Sequence, residues 1–172
     1  MLYEDAKYHN AVFVGYDAEG IPRHAHKRGT YTNGDAFKGN VDSCDPRYSF
    51  HWIGQSDTVY VFEAPIDMLS FLSLYRQNWK QHSYVALCGV AEHALMRLLT
   101  DAPHVNKIAL CLDNDKAGVQ ARERIQKYLT ERGYKNVFSL FSNRKDWNED
   151  LQALSKPPPE PAVEQQSVMQ MG

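Results

Sequence analysis

Apolar and polar residues alternate from Ala11 to Tyr16, around Val12, Phe13 and Val14. Asp17-Ala18-Glu19-Gly20 then supplies turn chemistry before the alternation resumes from Ile21 to Lys27, which predicts a β-hairpin. Gly29, Asn33-Gly34 and Gly39-Asn40 keep the chain turn-rich to about Gly54, with no helical period. From Thr58 the pattern changes to short apolar runs separated by helical stretches. Strands are predicted over 58–62, 84–88, 108–112 and 137–141. A helix over 66–77 follows the first, with Met68, Phe71, Leu72 and Tyr75 on one face, and a second helix spans 91–99. A charged amphipathic helix follows the third strand, turns Val119, Ile125 and Leu129 inward and stops at Gly133.

Strands and helices that alternate in this way imply a parallel sheet, because parallel neighbours need crossover connections. The expected fold is therefore α/β, a parallel four-stranded sheet with flanking helices, preceded by a small turn-rich β subdomain. The expected boundaries are a β-rich N-terminal subdomain over 1–56, the α/β domain over 57–155 and a disordered tail over 156–172. That tail carries Pro157-Pro158-Pro159, Pro161 and a Gln-rich end, too little apolar area to order itself.

Composition narrows the class without naming it. With 43% apolar and 23% charged residues in 172, the chain can bury a globular core. Its formal charge of -2 excludes global basicity as a sign of nucleic-acid binding, so any such site must be local. It has neither an apolar run of about 20 residues nor a signal-peptide pattern at its start, which predicts a cytoplasmic protein without a membrane partner. Cys44, Cys88 and Cys111 are odd in number and widely spaced, so they predict neither a disulfide framework nor a zinc cluster.

The chemistry lies in where the carboxylates fall. Open parallel sheets bind ligands outside the carboxyl ends of their strands. Glu63 follows the first α/β strand, Asp113 and Asp115 the third, and Asp146, Glu149 and Asp150 the fourth. Carboxylates crowded on one rim repel one another unless a cation sits among them, and oxygen ligands favour Mg²⁺ or Mn²⁺ over zinc. Such a cation keeps positions for substrate phosphates, as phosphoryl and nucleotidyl transfer require. Taken singly, Asp113 could instead cap the helix starting near Lys116, and Glu63 could be a helix-start acid beside Pro65. A haloacid-type phosphatase places its acidic pair after the first strand, and a receiver domain places an acidic pair there and one Asp after the third. Neither order fits.

Glu after the first strand, Asp113-x-Asp115-x-Ala117-Gly118 after the third and a helix running from that Gly resemble the Toprim fold of bacterial primases, topoisomerases and small nucleases. The likeness is greatest to Toprim-like domains of primase-like or relaxase-associated proteins of plasmids and mobile elements. It extends to Asn10-Ala-Val-Phe-Val-Gly15, His26-Lys-Arg-Gly29 and Lys145-Asp-Trp-Asn-Glu149. The resemblance implies that Glu63 is the general acid or base and that Asp113 and Asp115 bind Mg²⁺ or Mn²⁺. Asp67 matches the acidic residue of a Glu-Gly-x-x-Asp pattern, with Ala64 in place of the Gly. Asp146 stands, with Glu149, in the place of a later acidic motif, at a spacing different from that of primases. It further implies single-stranded DNA and nucleotides as substrates, helicase or relaxase partners, and an upstream domain. Primase-type nucleotidyl transfer is the leading expectation. Hydrolysis of phosphodiesters and a noncatalytic nucleic-acid-binding module are the alternatives.

Arg23, Lys27 and Arg28, with His24 and His26, form the densest basic strip, suited to a phosphate backbone; a solvated hairpin face is the competing reading. Lys116 and Lys145 complete the nucleic-acid-binding candidates. Tyr31, Phe37, Tyr48, Phe50 and Trp52 could stack on bases or form the small subdomain's core.

Overall fold

The computed structural model describes residues 1–31, 37–89 and 92–155. The turn expected at Asn33-Gly34, the start of the second helix at residue 91 and the tail expected over 156–172 lie outside these residues.

The N-terminal hairpin forms as its alternation demands, and two short strands extend it. Strands β1 (Leu2–Glu4), β2 (Ala11–Tyr16), β3 (Pro22–Arg28) and β4 (Lys38–Asn40) make an antiparallel sheet in that order. The Asp17 carboxylate accepts the backbone N–H groups of Glu19 and Ile21, and Gly20 takes a φ of +78° that closes the turn. Phe13, His24 and His26 face inward. A Cβ at Gly15 would fall 1.7 Å from the Tyr48 carbonyl oxygen, so only glycine lets the sheet lie against segment 46–49.

The second sheet has five strands, ordered β5 (His51–Trp52), β7 (Ser83–Ala86), β6 (Thr58–Phe62), β8 (Lys107–Leu110) and β9 (Asn136–Ser139). The four expected strands are parallel, and β5 adds an antiparallel edge of two residues. β5 lies within the 1–56 stretch of the sequence but pairs with β7. Helices α1 (Pro65–Leu74), α2 (His93–Asp101), α3 (Lys116–Glu131) and α4 (Trp147–Ser155) cover the sheet.

Strand parity sorts the core into two. Val59 and Val61 point to one face, with Leu95, Ile108, Leu110, Ile125 and Leu129. Phe62 joins Phe71, Ala109 and Trp147 in the second cluster. Phe13 enters this second cluster edge-on to Phe50 at 5.4 Å, so the two sheets share apolar packing.

Two local expectations change. Val119 is 41% exposed, and the buried stripe of α3 is Gly118, Arg122, Ile125 and Leu129. The rotation of α3 is set by its start, where the Asp115 carboxylate caps the Gly118 N–H at 2.9 Å. Helix α1 ends at Leu74, leaving Tyr75 56% exposed beyond the face on which Met68 and Phe71 are buried.

Candidate functional site

The carboxyl ends of β6 and β8, the first turn of α1 and the loop before α4 meet around a cleft of about 330 Å³. Glu63, Asp67, Asp113 and Asp146 line it from the parallel-sheet side, and His26, Arg28, Lys38 and Asn40 line it from the antiparallel sheet.

Each acid is placed by its own local device. Glu63 follows β6 directly, and its carbonyl accepts the Cys88 N–H at 2.9 Å. Pro65 opens α1, so Asp67 falls in that helix's first turn. Its Oδ1 accepts the N–H of Asn148 at 3.3 Å, tying α1 to α4. The Trp147 indole donates to the Cys111 carbonyl at 2.9 Å and seats α4 under the rim. Asp146 caps that helix by accepting the Glu149 N–H at 2.7 Å. Between the two aspartates, Asn114 donates from its side chain to the carbonyls of Ser142 and Arg144, at 2.8 and 2.7 Å. Its backbone N–H reaches the Lys145 carbonyl at 2.7 Å, which locks the two acidic loops together.

The electrostatics show crowding of like charge. Burial, reinforced by the Asp146 charge, raises Asp67 from 3.8 to about 7. Asp113 also rises to about 7, through burial and then the charges of Glu63, Asp67, Asp146 and Asp115. Glu63 is raised by burial and by Asp115, against the pull of Lys38 and Lys145. Asp115 moves the other way because it accepts the Gly118 N–H. The Asp-x-Asp pair is therefore unequal: Asp113 faces the cleft, whereas Asp115 caps α3 and holds Lys145 at 3.7 Å.

A hard cation fits this donor set. Asp113 Oδ1 is buried with no hydrogen-bond partner among the described residues, and the carboxylates of Glu63, Asp67 and Asp146 beside it in the cleft offer oxygen donors. Among the described residues no three His, Cys, Asp or Glu side chains converge into a complete metal cage. One or two carboxylates would hold the ion, leaving its other positions to water and phosphate oxygens, as suits Mg²⁺.

The basic strip does not form one surface. His24 and His26 are 2% and 8% exposed, and burial lowers both below the usual imidazole range. Arg28 shares their parity and reaches the cleft, whereas Arg23 and Lys27 lie on the other face. There they pair with Asp17 and Asp5, each at 2.6 Å. Lys145 lines the cleft, and Lys116 is exposed at the start of α3. Asn40 and Asn148 are cleft residues to which no role attaches from sequence alone, and Lys38, a basic residue interleaved with the candidate stacking aromatics, joins them. Lys38 and Asn40 arrive from another sheet, a proximity no local pattern encodes. Asn148 was within reach, because Asp146-x-x-Glu149 has the spacing of a helix-start capping box.

A family described as Toprim-like matches residues 60–151, more than half of the chain, and the chain belongs to that family. Residues 1–56 match a second family, described as a protein of unknown function (DUF3991). Uncharacterized protein pXO2-78 of Bacillus anthracis is 24% identical over 178 residues, covering 90% of this chain and 51% of that protein. An uncharacterized MG010 homolog of Mycoplasma pneumoniae is 30% identical over 102 residues, 59% of this chain and 46% of that one. The chain thus spans about half the length of the curated relatives it matches. Among solved structures, the primase fragment of the bacteriophage T7 primase-helicase protein superimposes with a TM-score of 0.61 at 20% identity, over 86% of this chain and 60% of that one. The DnaG primase catalytic domain bound to ssDNA gives 0.58 at 13% identity, over 90% and 54%. The fold is that of primase catalytic cores. Among the described residues, no helix is long and apolar enough to cross a membrane.

Proposed function

We propose that this chain carries a metal-assisted nucleotidyl-transfer site of primase type, joining nucleotides on a single-stranded DNA template in the replication of plasmid, phage or other mobile DNA. One observation carries the reading: four carboxylates face Arg28 and Lys38 across a single cleft, and neither cation has an ion-pair partner among the described residues. Acids on one wall suit a divalent cation, and free cations on the other suit a polyphosphate.

Asp113, with Asp67 or Asp146 as a second carboxylate, would hold Mg²⁺ or Mn²⁺, and Asp115 would support the site through the α3 cap. The bound ion supplies positive charge against the phosphate oxygens of the reacting nucleotide. Glu63, whose carboxyl is raised by burial and so is a stronger base than an exposed carboxylate, would take a proton from the attacking hydroxyl. Arg28, Lys38 and Lys145 would orient phosphates, and Lys116 would extend the basic path at the rim. Arg23 and Lys27, already ion-paired on the outer face, would contribute less. A helicase or relaxase is the class of partner such a cytoplasmic site would serve. With the division at 56/57, residues 1–56 would supply Arg28 and Lys38 to the phosphate-binding wall, and 57–155 would supply the acidic wall together with Lys145.

The test is incubation of purified protein with labelled single-stranded DNA, NTPs and Mg²⁺ or Mn²⁺. Extension supports the reading. Shortening identifies a nuclease, and retention without chemistry identifies a noncatalytic binding module; either outcome overturns it.

A further inference from the structure

Helix α3 buries a charge where its pattern calls for an apolar residue. Arg122 lies in the stripe Gly118, Arg122, Ile125, Leu129 and is only 7% exposed. No carboxylate pairs with it among the described residues. Its Nη2 instead donates to the carbonyls of Leu112 at 2.8 Å and Asp113 at 3.2 Å. The guanidinium lies 4.5 Å from the centre of the Phe141 ring, and its Nε is buried without a partner.

A buried cation with an unsatisfied donor is a poor way to stabilise a fold, since an apolar side chain of similar volume is commonly as good or better. Its placement has a different use. Strand β8 ends at Leu110, so the carbonyls of Leu112 and Asp113 lie past its ladder, at the point where the chain must turn the Asp113 carboxylate into the cleft. The helix presses on the same spot, because a Cβ on Gly118 would fall 2.2 Å from the Asp113 carbonyl oxygen. Arg122 thus holds two successive carbonyls with one planar group, and Phe141 fixes the plane of that group.

We propose that Arg122 is a positioning residue for the acidic rim: it fixes the peptide of Asp113 so that the carboxylate is presented to a divalent cation, with Phe141 as its backing. The cation belongs to the function proposed above, but the clamp on the Asp113 backbone does not depend on it. Groups that orient a ligating side chain commonly change metal affinity by about 10- to 100-fold when removed.

The experiment uses the full chain with Arg122→Met, Arg122→Lys and Phe141→Leu. In metal-free protein, ¹⁵N relaxation dispersion at Asp113, Asn114 and Asp115 should reveal new microsecond-to-millisecond exchange in Arg122→Met, while amides of β6 and β7 stay unchanged. Mn²⁺ binding, followed by electron paramagnetic resonance of the free ion, should weaken about tenfold or more. Arg122→Lys should recover only part of this, since an ammonium keeps the charge but not the planar fork. Phe141→Leu keeps apolar cover and should give a smaller loss in the same direction, which protects the test if Arg122→Met does not fold. Variants with a quiet Asp113 loop, or with a lower metal-free melting temperature but unchanged Mn²⁺ affinity, would overturn the proposal and make Arg122 merely structural. If the wild type binds no Mn²⁺, the proposed function fails, and the amide dynamics alone decide the role of Arg122.

Discussion

Replacing Asp67 by Asn should stabilise the metal-free protein at alkaline pH and do nothing at acid pH. Asp67 is 4% exposed, and its carboxyl titrates at about 7 instead of 3.8. Between those values the folded chain holds a proton that the unfolded chain has released. Stability is therefore full below about pH 4 and is lost as pH rises through 7. A difference of about 3 pH units corresponds to a ceiling of about 4 kcal/mol at pH 8. Since Asp146 and Glu63 contribute part of that difference, about 2 kcal/mol is the expected gain. The amide cannot ionise, yet its oxygen can still accept the Asn148 N–H that Asp67 accepts at 3.3 Å. The assay is urea unfolding followed by tryptophan fluorescence, in EDTA, at pH 5, 6, 7 and 8. Wild type and variant should differ least at pH 5, separate progressively up to about pH 7 and keep that separation at pH 8. A difference that stays constant across the series would mean that Asp67 is not held protonated by its surroundings. Added Mg²⁺ should then raise wild-type stability at pH 8 more than that of the variant, because the ion relieves the same repulsion.

Glu63→Gln should cut turnover by about 10²- to 10⁴-fold in whatever reaction the incubation reveals, with single-stranded DNA affinity unchanged in a filter-binding assay. Arg28→Ala with Lys38→Ala should weaken single-stranded DNA binding for all sequences and flatten log affinity against log salt by about 0.7 per lost contact. Arg23→Ala with Lys27→Ala, which removes two cations already paired on the outer face, should move that slope less; a larger effect from this pair would contradict the division of the strip. Gly118→Ala should cost about 1 to 3 kcal/mol in thermal unfolding, because its methyl group would collide with the Asp113 carbonyl oxygen at 2.2 Å. Asp113→Asn should reduce the rise in melting temperature produced by Mg²⁺ more than Asp115→Asn does, the latter residue being engaged at the start of α3.

The parallel sheet and the acidic rim were legible because runs such as Thr58-Val-Tyr-Val-Phe62 are apolar on both faces, and carboxylates directly after such runs can only sit at strand ends. What stayed hidden depended on contacts between distant segments. Helix α4 is short and anchors itself through Trp147 and the Asp146 cap, too little apolar pattern to register as a helical period. The face of β3 could not be read because its buried positions are histidines, residues that composition places at the surface as readily as inside. The facing of α3 turned on Arg122, a charged side chain occupying the position at which an apolar pattern would have been recognised. The cap of α3 falls on Asp115 and not on Asp113, the residue the sequence offers for it, because Asp115 stands three residues before the glycine whose N–H it accepts.

The separation of charge between the two sheets makes the cleft act like a small capacitor. One plate, carrying Glu63, Asp67, Asp113 and Asp146, repels a bare polyphosphate, and the other, carrying Arg28 and Lys38, repels a bare divalent ion. Each ligand alone is drawn to one wall and repelled by the other, while a metal and a phosphate arriving together form a dipole that the field orients. Their binding should accordingly be mutually reinforcing, each raising the affinity for the other by the same factor. The polarity of the gap also dictates which end of the pair enters first toward the parallel sheet.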